Sequence, residues 1–286
     1  MTVLEVLKLA SDHLQKHGSD SARLDAEVLL AHALGLRRLD LYLKFDRPLS
    51  EAELVKYRNL TANRAKGEPV AYLVGHKEFM GLDFVVTPAV LIPNPDTEVL
   101  VQRAVELARE AGRPLRVADV GTGSGCIAIA IAHYAPNVQV VASDVAPDAL
   151  EVAALNVAAH GLSGRVELVC GDLLAPLVGS FDLVVANLPY LAAGSALAPE
   201  VVAQPARALF AEDRGSALVT RLLAEAPARL NPGGRTLAEL DASIASIAVD
   251  GASRHFAGHR IHSDLAGHQR VLEAWSSIPA NSEPSA

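Results

Sequence analysis

The sequence predicts an α/β protein with an open parallel sheet, preceded by a small bundle of helices. Three observations support this prediction. Residues 1–66 repeat apolar side chains at helical spacing, and residues 115–275 alternate strand-like and helix-like runs. A glycine-rich turn also separates the first of those strands from the helix that follows it. Parallel strands need a crossover connection, so regular alternation of strands and helices indicates a parallel sheet.

Length and composition limit the possible functions. The 286 residues suffice for two domains, and half of them are apolar, as in globular proteins. The net charge of −8 argues against a large phosphate-binding surface. The sequence has neither a membrane-length apolar run nor a signal-peptide core. We therefore expect a cytoplasmic protein, monomeric, that contacts neither a membrane nor nucleic acid directly.

The two cysteines and the late histidines do not predict a metal site. Cys126 and Cys170 have no His or Cys partner nearby in the sequence. The histidines near the end lack a matching set of carboxylates, so we expect scattered surface side chains instead of ligands. They are His255, His259, His262 and His268.

The first predicted domain, residues 1–66, consists of helices. Gly18 and Gly35 fall between periodic segments and are typical of helix ends. Ser50 with Glu53 forms a capping box at the start of the last helix. The segment carries no catalytic cluster of its own, and we predict that it docks a protein substrate.

Residues 67–92 are predicted to form a linking β-hairpin. Val70–Phe79 and Leu82–Ile92 contain β-branched and aromatic residues, interrupted by glycines. Two prolines then precede a helix over Glu98–Ala111, for which Asp96 or Thr97 can serve as the N-cap.

Residues 93–275 are predicted to form the α/β domain, and residues 276–286 a disordered tail. The predicted helices are Cys126–Ala132, Pro147–His160 and Ser216–Leu230, with a turn at Asn231–Gly234. A further helix precedes the last two strands. The predicted strands are Leu115–Val120, Val138–Ser143, Arg165–Cys170, Phe181–Ala186, Arg235–Leu240, His259–Ser263 and Gln269–Ala274.

The turn after the first strand has a spacing that excludes several ligand-binding motifs. Cys126 stands where a dinucleotide fingerprint needs its last glycine, and no Lys-Ser or Lys-Thr pair follows as in a P-loop. The Gly-x-Ser-x-Gly spacing of a nucleophile elbow is also absent. The remaining pattern, Asp-x-Gly-x-Gly-x-Gly, brings free backbone N–H groups toward a ligand. Its residues are Asp119, Gly121, Thr122, Gly123, Ser124 and Gly125.

Polar residues also follow three other strands of the predicted sheet. Ligands of open α/β sheets bind at the carboxyl ends of the strands, so these residues are candidates for one site. Asp144 ends the second strand, where a carboxylate accepts hydrogen bonds from ribose hydroxyls. Asp172 and Leu173 follow the third strand and would border an adenine ring.

The sharpest signal follows the fourth strand, where the chain reads Asn187-Leu188-Pro189-Tyr190. The Asn187 side-chain oxygen and the Leu188 carbonyl can accept hydrogen bonds from both N–H groups of a planar nitrogen. Pro189 restricts the turn, and Tyr190 offers a flat face to a planar substrate. Catalysis would then consist mainly of orientation.

Taken together, these motifs resemble the bacterial release-factor glutamine methyltransferases, the HemK or PrmC family, over about residues 3–275. The glycine turn resembles the first motif of Rossmann-like class I S-adenosylmethionine methyltransferases. The family-specific stretches are Gly67–Gly75, Leu91–Pro93, Pro95–Glu98, Ala208–Phe210 with Gly215, and Asp264–Gly267 with Arg270 and Val271.

The resemblance implies S-adenosyl-L-methionine as cofactor and the glutamine of a Gly-Gly-Gln motif in peptide chain release factors as methyl acceptor. It places cofactor contacts on the glycine turn with Asp119, on Asp144, on Asp172 with Leu173, and on Asn187. It places substrate contacts on Asn187–Tyr190, with Asn187, Pro189 and Tyr190 as the catalytic residues.

Three positions depart from the family pattern: Leu188 replaces a proline, Asn94 an arginine, and Asp241 a glycine. Two other classes of function therefore stay open. One is methylation of another planar nitrogen, in a ribosomal-protein glutamine or a ribosomal-RNA adenine. The other is a catalytically silent cofactor-binding protein.

Overall fold

The structure is a computed structural model, and it describes residues 1–277. The helices are α1 Val3–Lys16, α2 Ala22–Leu34, α3 Arg38–Tyr42, α4 Glu51–Ala65, α5 Val70–Val74, α6 Glu98–Ala111, α7 Cys126–Tyr134, α8 Pro147–Ala159, α9 Pro199–Val202, α10 Ala206–Leu209, α11 Ala217–Glu225 and α12 Ala245–His255. The strands are β1 His76–Phe79, β2 Leu82–Val85, β3 Leu115–Val120, β4 Val138–Asp144, β5 Val166–Cys170, β6 Phe181–Ala186, β7 Leu230–Glu239, β8 Gly258–Ser263 and β9 Gln269–Trp275. None of these helices is long and apolar enough to cross a membrane.

The chain folds as two compact units. The helical unit comprises residues 1–76 together with 197–203, and the sheet unit comprises residues 77–196 and 204 onward. The second stretch of the helical unit lies far along the chain from the first, which the sequence did not predict. The domain boundaries predicted from the sequence, at residues 66 and 92, remain predictions.

The helical unit packs α1, α2 and α4 around an apolar core. The capping box expected at α4 is present, since the Ser50 hydroxyl accepts the Glu53 N–H while the Glu53 carboxylate accepts the Ser50 N–H. A buried ion pair also holds this unit. Arg64 lies 2.7 Å from Asp25 and 2.6 Å from Glu200, so α4 is tied to α2 and to α9.

The predicted hairpin is shorter than expected, because residues 70–74 form helix α5 and only β1 and β2 pair as strands. Pro69 precedes the helix, and Gly75 ends it in a left-handed conformation (φ 81°). Val70, Leu73 and Val74 pack against the core of the helical unit. Their spacing is helical, so tertiary packing favours a helix despite the β-branched composition.

The sheet unit contains a seven-stranded sheet in the order β5-β4-β3-β6-β7-β9-β8. The first five of these strands are parallel, and β9 pairs antiparallel with both β7 and β8. Alternate residues of β3 point to opposite faces of the sheet. Val117 packs in a cluster with α6, α7 and α8, whereas Ala118 packs in one with α11.

The turn predicted at Asn231–Gly234 is wrong, because these residues lie inside β7. The pairing with β6 is irregular at these residues. Phe181 of β6 pairs with Leu230 and Leu183 pairs with Arg235, so β7 advances five residues where β6 advances two. Turn-forming residues can therefore be kept within a strand as a bulge. The predicted tail begins with Ser276, whose N–H donates to the Gly234 carbonyl at 3.0 Å. Residues 278–286 of that prediction lie outside the described residues.

The register of the parallel strands brings their carboxyl ends to one edge. Val120 of β3 pairs with Ser143 of β4 and with Ala186 of β6, and Ala186 pairs with Ala238 of β7. The glycine turn, Asp144, Asn187 and Glu239 follow these paired positions directly, so they lie side by side at this edge.

Candidate active site

The glycine turn joins β3 to α7 in a tight loop. Gly121, Gly123 and Gly125 all have positive φ, of 75°, 55° and 81°, a region that only glycine enters without strain. The Gly121 and Thr122 N–H groups donate to the Ser143 carbonyl at 2.8 and 3.0 Å, so the loop is bound to the neighbouring strand. The loop is therefore fixed before any ligand arrives.

Asp119, at the end of β3, holds the glycine turn through hydrogen bonds. One of its oxygens accepts the Thr122 hydroxyl at 2.6 Å and the Ala128 N–H at 3.2 Å, while Oδ1 is buried with no hydrogen-bond partner in the described structure. Burial raises the pKa of Asp119 to about 7. The side chain is fully buried, and its contacts are with the glycine turn and the start of α7, which it fixes relative to each other.

Asp144 joins the second strand end to the glycine turn. Its carboxylate accepts the Gly123 N–H at 2.8 Å and, on the other oxygen, the Ala146 N–H at 2.9 Å. Each oxygen keeps a lone pair, because a carboxylate offers about four acceptor positions. The side chain can therefore hold the loop and accept ligand hydroxyls at the same time.

Asp172 and Leu173 follow the third strand end. Leu173 is buried and adopts a positive φ of 46°, which is unusual for a branched side chain, and its carbonyl accepts the Ser143 hydroxyl at 3.0 Å. Asp172 is half exposed, and one of its oxygens accepts Arg221 at 2.8 Å. Arg221 donates to Oδ2 of Asp172, so Oδ1 is the oxygen that Arg221 leaves available to a ligand.

Asn187 follows β6, and its carboxamide is held by a residue distant in the sequence. Nδ2 donates to Oγ1 of Thr97 at 3.0 Å, which leaves Oδ1 as the free acceptor of the amide. Thr97 is buried in the turn Pro95–Thr97, and the Asn94 side chain accepts the Asp96 N–H of that turn at 3.1 Å. Asn94 therefore stabilises the turn that presents Thr97.

Leu188 and Tyr190 anchor the rest of the motif. A β-carbon built on Gly121 would lie 3.0 Å from Leu188 Cδ2, so the leucine packs closely over the glycine turn. Tyr190 packs against the apolar cluster of α11, α12 and β9, and burial raises the pKa of its phenol to about 12.

Glu239 at the end of β7 is the residue that sequence reasoning missed at this edge. It is 5% exposed, and its Oε2 has no hydrogen-bond partner in the described structure. Burial raises the pKa of Glu239 to about 7, while Thr97 and Asn187 oppose that shift through their side chains. Asp241, one of the departures from the family pattern, accepts the Ser243 N–H at 2.9 Å and stabilises the turn after the strand.

One cleft brings most of the predicted residues together. Asp119, Gly125 and Tyr190 do not line it. The predicted residues that do are Gly121–Ser124, Asp144, Asp172, Leu173 and Asn187–Pro189.

The cleft has further walls, among them residues 89–91 and Arg207, which the sequence did not predict, and Pro93 with Asn94. Arg207 binds both oxygens of Asp148 at 2.5 and 2.6 Å and the Ala89 carbonyl at 3.3 Å. The Gln204 side chain accepts the Ile92 N–H at 3.0 Å. The two walls are therefore bound to each other by hydrogen bonds.

The cleft residues fit S-adenosylmethionine. A β-carbon on Gly123 would meet nothing within 4 Å, so a ligand can approach the backbone there. Asp144 lines the cleft and can supply acceptors for ribose hydroxyls. Among residues 1–277, no group of three or more His, Cys, Asp or Glu side chains is arranged to hold a metal ion.

Comparison with known proteins gives consistent results. Residues 5–75 match the family model of the PrmC N-terminal domain, and residues 95–216 match that of the methyltransferase small domain. The release factor glutamine methyltransferase of Rhodopirellula baltica is 41% identical over 281 residues, covering 95% of each chain. That of Geobacter sulfurreducens is 45% identical over 84% of each chain.

Solved structures share the fold. A methyltransferase from Pyrococcus furiosus superposes with a TM-score of 0.54 at 20% sequence identity, covering 77% of this chain and 99% of that one. The likeness supports the Rossmann-like methyltransferase architecture predicted from the sequence.

Proposed function

This chain belongs to the release factor glutamine methyltransferase family, and from that premise we propose that it methylates the glutamine of the Gly-Gly-Gln motif in peptide chain release factors. The cofactor is S-adenosyl-L-methionine. One observation carries the proposal for the site: Asn187 presents a free amide oxygen at the cleft that also contains the glycine turn and Asp144.

The proposed role of the motif after β6 is to orient a planar amide. Its lone pair is delocalised, so the nitrogen is a poor nucleophile unless it is held near the methyl group in the right geometry. Asn187 Oδ1 and the Leu188 carbonyl accept the two N–H groups of the glutamine amide. Pro189 limits the backbone freedom of that carbonyl. Orientation of this kind can supply a large share of the rate.

The cofactor supplies an electrophilic methyl group on a sulfonium. Transfer of that methyl group would leave a neutral thioether on the cofactor, and the acceptor nitrogen, held by Asn187 and Leu188, would release its proton to water. We assign no general base, because the carboxylates that line the cleft are Asp144 and Asp172, which we assign to the ribose and the adenine. Tyr190 supports the motif from the apolar cluster beneath it.

The helical unit is proposed to dock the release factor. It exposes several large apolar side chains, among them Leu39 at 68% and Leu43 at 83%. These two lie four residues apart at α3, so they form a patch that a protein partner can cover. The same proposal places the protein in the cytoplasm as a monomer.

A methylation assay with the purified protein tests the proposed function. Release factor and labelled cofactor are incubated together, and mass spectrometry locates the methyl group. We expect it on the glutamine of Gly-Gly-Gln, with no label on ribosomal RNA. A release factor with that glutamine replaced by glutamate is the control. Label on RNA alone, or on no acceptor, would refute the proposal.

Asn187→Ala tests the role of the motif. We expect kcat to fall on the order of 100-fold, as when one oriented hydrogen-bonding group is removed from an active site, while calorimetry still detects cofactor binding. Unchanged turnover with bound cofactor would show that the amide is not held by Asn187.

A further inference from the structure

The carboxamide of Asn187 has two possible orientations, and only one of them suits the proposed reaction. With Oδ1 toward the cleft, the side chain accepts a hydrogen bond from the substrate amide. With the amide rotated by 180°, Nδ2 would face the cleft, and the substrate N–H groups would meet a donor instead. The residues that line the cleft do not determine which orientation the carboxamide adopts. The side chains behind Asn187 must therefore determine it.

Two side chains lie behind Asn187. Thr97 Oγ1 accepts Nδ2 at 3.0 Å, and the threonine is 2% exposed, so water does not compete for this bond. Glu239 follows Ala238 on the neighbouring strand, which pairs with Ala186, so its buried carboxylate lies beside Asn187 at this edge of the sheet, and its Oε2 has no hydrogen-bond partner in the described structure.

We propose that Glu239 and Thr97 are positioning residues that hold the Asn187 carboxamide with Nδ2 inward and Oδ1 toward the cleft. An ionised carboxylate only accepts hydrogen bonds. It therefore favours the Thr97 hydroxyl and the Asn187 amide hydrogens on its side, and it repels Oδ1. A rotated amide would place its oxygen against the buried carboxylate and take the amide donors away from it, which is costly. The inference rests on the proposed function, because it assumes that Oδ1 receives the acceptor amide.

Protonation of Glu239 reverses this preference. A protonated carboxyl has an O–H that can donate to Asn187 Oδ1 and withdraw it from the substrate. Burial and the nearby Asp96 raise the pKa of Glu239 to about 7, while Arg270 on β9 lowers it. The other titratable groups that sense Glu239 are the buried phenol of Tyr190 and the buried thiol of Cys126. We expect kcat to fall as the pH drops through about 7.

Substitutions separate positioning from folding. In Glu239→Gln the glutamine side chain has both a donor and an acceptor, so it permits either orientation of the Asn187 carboxamide. Thr97→Val removes the hydroxyl that accepts the Asn187 amide. For each we expect a fall in kcat of about 10-fold, with the Kd for cofactor within threefold of wild type. Thr97→Ser keeps the hydroxyl and should restore kcat to within twofold.

Thr236→Val is the matched control. Thr236 is fully buried on the same strand as Glu239, and its hydroxyl has no hydrogen-bond partner in the described structure. Its removal should leave kcat within twofold of wild type. Thermal unfolding of each variant shows whether a loss of turnover reflects a loss of fold.

A spectroscopic measurement tests the inference without turnover. The side-chain N–H₂ signals of Asn187 are assigned by their loss in Asn187→Ala and followed by NMR from pH 6 to 8. We expect them to move with a midpoint near pH 7 in wild type and in Thr236→Val, and to stay fixed in Glu239→Gln.

The outcomes distinguish this inference from the proposed function. A wild-type protein that methylates no release factor overturns both. Wild-type turnover together with normal kcat in Glu239→Gln and Thr97→Val overturns the positioning role alone. Asn187 signals that do not titrate in wild type, or that still titrate in Glu239→Gln, overturn it as well.

Discussion

We propose that Asp144 performs two tasks at the end of β4, holding the glycine turn and binding the ligand, and that both depend on its charge. Its two oxygens accept the Gly123 and Ala146 N–H groups, which fixes the glycine turn against the start of α8. The remaining lone pairs face the cleft that Asp144 lines. In this proposal a single carboxylate links the shape of the turn to ligand binding.

Asp144→Asn should weaken cofactor binding by 10- to 100-fold in calorimetry. The amide keeps one acceptor but loses the charge, and a hydrogen bond to a charged group contributes about 1.5–3 kcal/mol. Glu151→Gln, an exposed carboxylate on α8, is the control and should leave the Kd unchanged. Equal Kd values for wild type and Asp144→Asn would contradict this role.

Gly215 illustrates a close backbone approach within the segment that returns from the Asn187 motif. A β-carbon there would lie 2.0 Å from the Tyr190 carbonyl oxygen, and φ is +93°. Gly194, in the same segment, has a similar φ of +85° but nothing within 4 Å. The two glycines therefore separate the cost of the clash from the cost of the conformation.

Gly215→Ala should lower both Tm and kcat, because the clash is with backbone that holds Tyr190. Gly194→Ala should lower the free energy of unfolding only by the strain of the left-handed conformation. That strain is about 1 kcal/mol, which corresponds to a fall of about 2–4 °C in Tm. We expect Gly215→Ala to lose at least twice as much in Tm and to reduce kcat at least 10-fold. Similar values for both variants would refute the argument.

At the scale of elements, an ion cluster stabilises β9 within the sheet. Glu273 is 1% exposed and pairs with Arg103 of α6 at 2.9 Å, with His262 of β8 at 2.6 Å, and with Arg235 of β7. Burial acts to raise the pKa of Glu273, but Arg103, His262 and Arg235 together hold it at about 2. One carboxylate thus connects a helix and three strands.

Glu273→Gln should lower the free energy of unfolding at pH 7 by about 3 kcal/mol, because it leaves the partly buried charges of Arg103 and Arg235 without their buried partner. The folded pKa lies below the ordinary value of 4.5, so this stabilisation is present above that pH and lost as the pH falls toward 2. Urea titrations should show the decline in wild type and a smaller one in the variant. Glu110→Gln, which loses an exposed partner of Arg103, should change stability by less than about 1 kcal/mol.

The bounds of the strands and helices show which parts of the fold the sequence could predict. Strand β6 and helix α6 have the predicted bounds, because their apolar runs and end signals are local properties of the chain. Helix α5 was missed because packing against the helical core outweighs β propensity. Thr97 and Glu239 were missed as site residues because the fold brings them to Asn187, and no spacing in the sequence records that.

At the scale of the whole molecule, the fold separates two kinds of surface. The sheet unit carries the cleft, and the helical unit carries the exposed patch of Leu39 and Leu43. This division suits an enzyme whose second substrate is a protein, since affinity and chemistry can then depend on different side chains.

The double variant Leu39→Ser, Leu43→Ser should raise KM for the release factor about 10-fold and leave the Kd for cofactor unchanged. Buried apolar side chains contribute much of the binding energy at protein interfaces. Leu265→Ser is the control, because Leu265 is fully exposed in the sheet unit. If both variants raised KM equally, the docking role of the helical unit would be wrong.

The salt bridge from Arg64 to Glu200 has a consequence for protein engineering and for divergence within the family. Residues 197–203 belong to the same unit as residues 1–76, so the helical unit is encoded by two separate stretches of the gene. A chimera that transfers only residues 1–76 of this chain into a relative would carry Arg64 without Glu200. Functional hybrids should need both stretches from one parent.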